Sequence, residues 1–305
     1  MKVAVIGLGT MGPGMAATLA RGGCDVAGFD VDAVKLARAP AEAAAAQGVL
    51  ARIGGRAAPV PGALGWHADL AEAVRDADFV IENVPERLEL KHEVFAAIER
   101  LAPPHAILAS DTSGIPIGRL QEAVGDKARV VGMHWSNPPH IIPMIEVIAG
   151  PHTAPATVEA TRRLVLDLGL VPVLVERDVP GFVENRVLYA IMRECLALVE
   201  QGVIAPEALD TCVRWGIGFK LSVIGPMALL DVAGLDIYQS VAGYLNAELD
   251  ARKDVPAYVT ARTAAGDLGM KTGHGIYDYT PERIAALRAE RAALLVGVRR
   301  TLEGR

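Results

Sequence analysis

Cysteine is scarce in this chain of 305 residues, with only Cys24, Cys195 and Cys212. The three form no CxxC pair and no metal-ligand set, so neither a disulfide framework nor a cysteine-based metal centre organises the fold. Such a sparse, odd count fits a reducing cytoplasm. Basic charge is also short, at 30 Lys and Arg against 36 Asp and Glu, a net charge of −6. That balance favours solubility and argues against nucleic acid or a membrane surface as a general partner. No unbroken apolar segment reaches the roughly 18 residues that a membrane helix needs. The apolar run in the opening MKVAVIGLG is too short for a secretion signal. There is no internal repeat, and the alanine-rich stretch at 41–46 reads simply as a good helix former.

What is present is ordinary globular material, 51% hydrophobic and 22% charged, in a length natural for two domains. Short β-branched runs at 2–6, 26–29, 79–82, 106–109, 130–133 and 144–148 read as strands, with helical patterns at 13–21 and 33–52 and between most of the others. Residues 54–65, with Pro59 and Pro61, read as a loop. This alternation predicts an α/β domain whose parallel sheet is covered on both faces. After Pro180-Gly181 the character changes to long helical patterns at 184–201, 206–213, 225–238 and 281–302. The expected organisation is a doubly wound nucleotide-binding domain over 1–181 and a mostly helical domain over 182–305.

Gly7-Leu8-Gly9-Thr10-Met11-Gly12 fits G-x-G-x-x-G between a strand and a helix, the context in which that spacing carries weight. Gly7 permits the tight turn, Gly9 lets the backbone approach a pyrophosphate, and Gly12 lets helix and strand pack closely. Free N–H groups at the helix start then face the phosphates. Asp30 ends the second strand, where a carboxylate accepts hydrogen bonds from ribose hydroxyls and repels a 2′-phosphate. The expected cofactor is therefore NAD rather than NADP. The alternative is a glycine turn beside a surface Asp with no ligand.

Glu146 interrupts the apolar run Met144-Ile145-Glu146-Val147-Ile148, and a buried carboxylate needs a cation or good donors. His134 closes the preceding strand, twelve residues earlier. If the two segments pack side by side, the acid fixes one imidazole nitrogen and the other becomes a general base. The same two residues could instead form a purely structural pair. Ser113 follows the strand ending at Ala109, at the sheet edge where ligands bind in open α/β sheets. Asn185 falls in the first turn of the long helix at 184–201. A hydroxyl, a braced imidazole and an amide could converge on one substrate oxygen, and no metal is required.

These segments together resemble the L-3-hydroxyacyl-CoA dehydrogenase family, from Met1 to about Tyr279. The resemblance rests on GLGTMG at 7–12, SDTS at 110–113, HWSNP at 134–138 with Glu146, DVPGFVENR at 178–186, GPMALLDVAGLD at 225–236 and KTGHG at 271–275. It implies that His134 is the catalytic base, Glu146 its orienting acid, and Ser113 and Asn185 the contacts to the substrate oxygen. It also implies that Asp30, Glu86, Lys91 and Asn137 contact the cofactor, and that the helical domain forms a homodimer.

The acyl-CoA members usually read SNTS and HFFNP where this chain has SDTS and HWSNP, and carry a lysine cluster after the second strand. Here residues 35–65 offer only Lys35, Arg38, Arg52 and Arg56, scattered along the stretch. DTSGIPI, HWSNPPHIIPMIEVIAG, DVPGFVENRVLYA and VIGPMALLD look closer to family members that oxidise a carboxylated pyridine aldehyde in vitamin B6 breakdown. No cysteine lies in a site motif to serve as nucleophile, so oxidation would run through water, with His134 as the base. Lys220 and Arg186 are candidate anchors for a substrate carboxylate. The alternatives are a 3-hydroxyacyl-CoA dehydrogenase and a non-catalytic dinucleotide-binding protein. Enzymes of the 6-phosphogluconate type use a lysine on the interdomain helix, and 184–201 contains none.

Overall fold

The computed structural model describes residues 1–304. Contacts divide the chain into two compact units, one of Met1–Asn185 with Leu295–Arg299 and one running from Arg186 to Leu294 with the chain from Arg300 onward. The first unit is built on an eight-stranded sheet: β1 (Lys2–Ile6), β2 (Asp25–Phe29), β3 (Leu64–His67), β4 (Phe79–Glu82), β5 (Ile107–Ser110), β6 (Val130–Trp135), β7 (Met144–Ala149) and β8 (Val171–Val175). Their order is β3-β2-β1-β4-β5-β6-β7-β8. The first six follow the doubly wound dinucleotide-binding order. All neighbours are parallel except β6 and β7.

Alternation explains the double covering. In β1, Val3 and Val5 enter one buried cluster and Ala4 and Ile6 another, all at most 1% exposed. A parallel strand with helices on both faces needs such a continuous apolar run. Helix α1 (Gly12–Arg21) lies almost wholly in the core, and α2 (Ala33–Ile53) buries Ala39, Ala43, Ala46, Leu50 and Ile53 at helical spacing. Asp32 caps α2 by accepting from the N–H groups of Val34 and Lys35. Further along come α3 (Leu70–Val74), α4 (Leu88–Leu101), α5 (Ile117–Leu120), α6 (Pro155–Asp167) and α7 (Glu184–Glu200), whose first two residues belong to this unit.

Two strands depart from the sequence expectation. Strand β3 starts inside the span read as a loop, and β8 was not anticipated. Both sit at sheet edges: β3 has no fully buried residue, and β8, although apolar throughout, is mostly exposed and carries Pro172, which suits only an edge strand. The helix expected over 225–238 is two, α10 (Pro226–Ala233) and α11 (Leu235–Leu245), after α8 (Pro206–Cys212) and α9 (Phe219–Leu221). Gly234 breaks them at φ +97°, a left-handed value open to glycine at little cost. The second unit also holds α12 (Ala257–Ala265) and most of α13 (Pro281–Leu302). Inside it, Arg252 pairs with Asp250 at 2.7 Å and Glu200 at 2.8 Å. Among the described residues no single helix is long and apolar enough to cross a membrane.

Candidate active site and nucleotide cleft

The antiparallel pairing of β6 with β7 explains the twelve-residue spacing between the histidine and the acid. In that register His134 lies directly opposite Glu146, and side chains of opposed residues share a face. His134 Nδ1 and Glu146 Oε2 are 2.8 Å apart, with side chains 8% and 1% exposed. An ionised carboxylate only accepts, so Nδ1 carries the proton and Nε2 presents its lone pair. Among the described residues Nε2 has no hydrogen-bond partner.

The second oxygen of Glu146 is also held. Oε1 accepts from Val183 N at 2.9 Å and Glu184 N at 3.0 Å, donors at the start of α7 that have no partner within the helix. The approach to α7 passes through Gly181 at φ +77° and Phe182 at φ +49°. A phenylalanine in the left-handed region is strained by about 1–3 kcal/mol. It is held there by complete burial, with its ring centroid 6.0 Å from that of His134. Burial alone would lower the affinity of His134 for a proton. The hydrogen bond to Glu146 and the charges of Asp111, Glu146 and Glu184 outweigh it and raise the pKa. For Glu146, burial pushes upward, but His134 and the two backbone donors hold the carboxyl below its usual range.

His134, Glu146 and Glu184 offer atoms within 4.8 Å of one another, close enough to hold a metal ion. Those carboxylate oxygens already accept hydrogen bonds: Ser136 Oγ donates to Glu184 Oε2 at 2.5 Å, and Glu146 accepts from His134 and from two backbone N–H groups.

Ser113 and Asn185 come together, with Asn185 Nδ2 donating to the Ser113 carbonyl at 2.6 Å. Residues 183–185 thus link the His134–Glu146 pair to the loop after β5. That loop is gathered by Glu86, whose Oε1 accepts from Thr112 Oγ1 at 2.6 Å, Gly114 N at 3.0 Å and Ser113 N at 3.1 Å. Burial raises the Glu86 pKa, while Thr112, Lys91 and Gly114 outweigh it and lower it. Lys91 is 1% exposed beneath this loop, 2.8 Å from Glu82 and 3.4 Å from Glu86. The sequence reading gave both residues to the cofactor, and here they brace the loop from below. Asn137 lies two residues past the end of β6, on the same segment as His134.

At the point where strand order reverses, between β1 and β4, a cleft of about 630 Å³ is lined by Gly7, Gly9, Asp30, Lys35, Asn83 and Val84, among others. The three glycines behave as their spacing requires. Gly7 has φ +108°, and a Cβ there would lie 2.4 Å from the Asn83 carbonyl oxygen. A Cβ on Gly12 would lie 2.2 Å from the Gly7 carbonyl oxygen, whereas one on Gly9 would meet nothing within 4 Å. Gly9 therefore leaves open space for a ligand, and the helix N-terminus faces the same cleft. Asp30 accepts from Leu8 N and Asp32 N, both at 2.8 Å, and its remaining lone pairs stay available to a ribose. These residues fit an NAD molecule.

The sequence reading missed four residues. Glu82 is fully buried and accepts from Ser110 Oγ at 2.6 Å and Val84 N at 2.7 Å as well as from Lys91. Phe182, Glu184 and Asp111 were visible in quoted motifs but given no role. A lone acid at a strand end was the available signal for Glu82 and Asp111.

The chain matches the family model "3-hydroxyacyl-CoA dehydrogenase, NAD binding domain" over residues 2–179 and the corresponding C-terminal domain model over 181–279. It is 57% identical over 306 residues to 5-formyl-3-hydroxy-2-methylpyridine 4-carboxylate 5-dehydrogenase of Mesorhizobium japonicum, covering 100% of this chain and 99% of that protein. It is 35% identical to a probable 3-hydroxybutyryl-CoA dehydrogenase of Bacillus subtilis, covering 91% and 97%. A crystal structure of a 5-formyl-3-hydroxy-2-methylpyridine 4-carboxylic acid 5-dehydrogenase, described as an NAD+-dependent dismutase, superimposes with a TM-score of 0.98 at 56% identity, covering 100% and 99%. The (S)-3-hydroxybutyryl-CoA dehydrogenase of Ralstonia eutropha superimposes with a TM-score of 0.71 at 30% identity, covering 92% and 99%.

Proposed function

The chain belongs to the 3-hydroxyacyl-CoA dehydrogenase family as an NAD-dependent dehydrogenase, and on that premise we propose that it oxidises 5-formyl-3-hydroxy-2-methylpyridine 4-carboxylate, or a close analogue, to the corresponding acid. His134 Nε2 is the base, taking a proton from the hydroxyl of the hydrated aldehyde. Glu146 holds the imidazole in the required tautomer and stabilises the imidazolium that forms. Ser113 and Asn185 contact the substrate oxygen. Gly7, Gly9, Gly12 and Asp30 hold NAD, which accepts the hydride when bound, while Glu86, Lys91 and Asn137 shape its nicotinamide end.

The observation that carries this reading is the 2.8 Å contact between His134 and Glu146, with Nε2 left free at the ligand-binding edge of the sheet. The dismutase description of the similar structure adds a second half-reaction, in which NADH reduces the same aldehyde to an alcohol. The same base serves it in reverse, since imidazolium returns the proton.

An acyl-CoA substrate is the weaker reading. CoA carries several phosphate charges, and three of the four bases over residues 35–65 already face acids. Lys35 lies 3.9 Å from Asp30 and Asp32, Arg38 3.3 Å from Glu42, and Arg56 3.7 Å from Asp167. The discriminating assay compares NADH formation from the pyridine aldehyde with reduction of acetoacetyl-CoA. Turnover of the aldehyde supports the proposal, and robust acyl-CoA turnover with none on the aldehyde reverses it.

The protein works in the cytoplasm as a homodimer. Support for the dimer is the apolar surface of the second unit, where Trp215, Phe219, Val223, Met227 and Val232 are 61–77% exposed.

A further inference from the structure

One carboxyl at the ligand-binding edge of the sheet has no part in the scheme above. Asp111 follows Ser110, the last residue of β5, which lies in register with Gly132 of β6 and Glu82 of β4. Its Oδ1 accepts from the backbone N–H of Trp135 at 2.7 Å, the residue next to His134. That bond fixes the carboxyl beside the imidazole segment. Its other oxygen makes no hydrogen bond among the described residues. The side chain is half-buried, unlike Glu82 below it, whose oxygens are occupied by Lys91, Ser110 and Val84 N.

The chemistry asks for such a group. An alcohol gives up one proton and one hydride, for which a single base suffices. An aldehyde must first gain water, and the water must lose a proton while the carbonyl oxygen gains one. Resting on the aldehyde reading above, we propose that Asp111 is the base that activates this water and His134 the acid that protonates the aldehyde oxygen. A bond forms between the water oxygen and the aldehyde carbon as the carbonyl π pair moves onto its oxygen. The water proton passes to the free oxygen of Asp111, and the aldehyde oxygen takes a proton from the His134 imidazolium. His134 then removes a hydroxyl proton as the C–H bond breaks and its electron pair leaves as hydride to NAD. The sum is aldehyde, water and NAD+ giving acid, NADH and one proton, which Asp111 releases.

The electrostatics suit the role. Burial pushes the Asp111 carboxyl up to about 8, against the Trp135 N–H and the charges of His134 and Lys91, with Glu82 adding to the rise. A carboxylate of that basicity is a far better acceptor for a water proton than an ordinary one, because efficiency is greatest when the pKa lies near the working pH.

The test uses Asp111→Asn, which keeps the shape and the acceptor for Trp135 N–H but cannot take a proton. Acid formation from the pyridine aldehyde and NADH-driven alcohol formation from the same aldehyde are measured on wild type and variant, with NADH binding as the check on folding. Acid formation is expected to fall by about 100-fold, while alcohol formation and NADH affinity stay within about threefold. The wild-type pH profile for acid formation should carry an inflection at about 8 that the variant lacks. Equal losses in both reactions, or no loss in either, overturn the role of Asp111 while leaving the aldehyde reading intact. A wild type that does not oxidise the aldehyde removes both.

Discussion

At the residue scale, the site depends on which group holds a proton. His134 titrates above its ordinary value, so NAD-driven oxidation of the corresponding alcohol, which needs only the free base, should fall as pH drops through that raised pKa. Glu146→Gln keeps a hydrogen-bond acceptor but removes the negative charge that helps raise it. We expect the acidic limb to move to lower pH and activity to drop by about 10²–10⁴-fold. A pH–rate profile with an unmoved limb would show that Glu146 does not tune the imidazole. For stability the sign at Asp111 is opposite to that of an ordinary carboxylate. Its folded pKa of about 8 lies above the reference value of 3.8, so wild type is favoured only below that reference value and loses stability as pH rises from about 4 to about 8. Asp111→Asn should therefore melt higher than wild type at pH values above about 8, and the difference should vanish below about 4. The pairing was legible in sequence, because an acid inside an apolar strand must have a partner and His134 closes the preceding strand candidate. What sequence could not supply was the remaining donors. Val183 N and Glu184 N reach Glu146 only because the chain turns through Gly181 and Phe182.

At the element scale, the glycine loop and the buried ion pair make separable predictions. A methyl on Gly12 collides with the Gly7 carbonyl, whereas one on Gly9 points into open space. Gly12→Ala should cost about 1–3 kcal/mol or more of folding stability. Gly9→Ala should cost under about 0.5 kcal/mol yet weaken NAD binding by roughly tenfold or more, since it blocks the pyrophosphate approach. Urea titration and cofactor titration on the two variants read these effects independently. Lys91→Met leaves the fully buried Glu82 carboxylate without its cation, a loss of about 3–5 kcal/mol. A urea midpoint close to that of wild type would show that Lys91 is dispensable to the loop. Central strands were readable because burial on both faces demands continuous apolar runs. Edge strands β3 and β8 were not: β3 has no continuous apolar run, and the apolar run of β8 is interrupted by Pro172, which argues against a central strand. The break at Gly234 was hidden for another reason. An isolated glycine is tolerated inside a helix, and only its φ of +97° reveals the end.

At the scale of the whole molecule, cofactor binding and stability are linked. NAD at 100 times its Kd should stabilise the folded protein by about 2.7 kcal/mol. NADP at the same concentration should do far less, because Asp30 lines the cleft where a 2′-phosphate would sit. Melting curves with each nucleotide test this, and equal shifts would remove Asp30 as the discriminator. The change of periodicity near Gly181 sets an expected boundary at 181, whereas contacts divide the chain after Asn185. By contrast, the return of Leu295–Arg299 to the first unit is a long-range packing result that no local pattern encodes. The central claim remains the imidazole that takes the proton while NAD takes the hydride. Its most direct test is NADH formation from the pyridine aldehyde by His134→Ala with NAD affinity measured in parallel. The account expects turnover to fall by about 10²–10⁴-fold with NAD binding preserved, and turnover equal to wild type would contradict it.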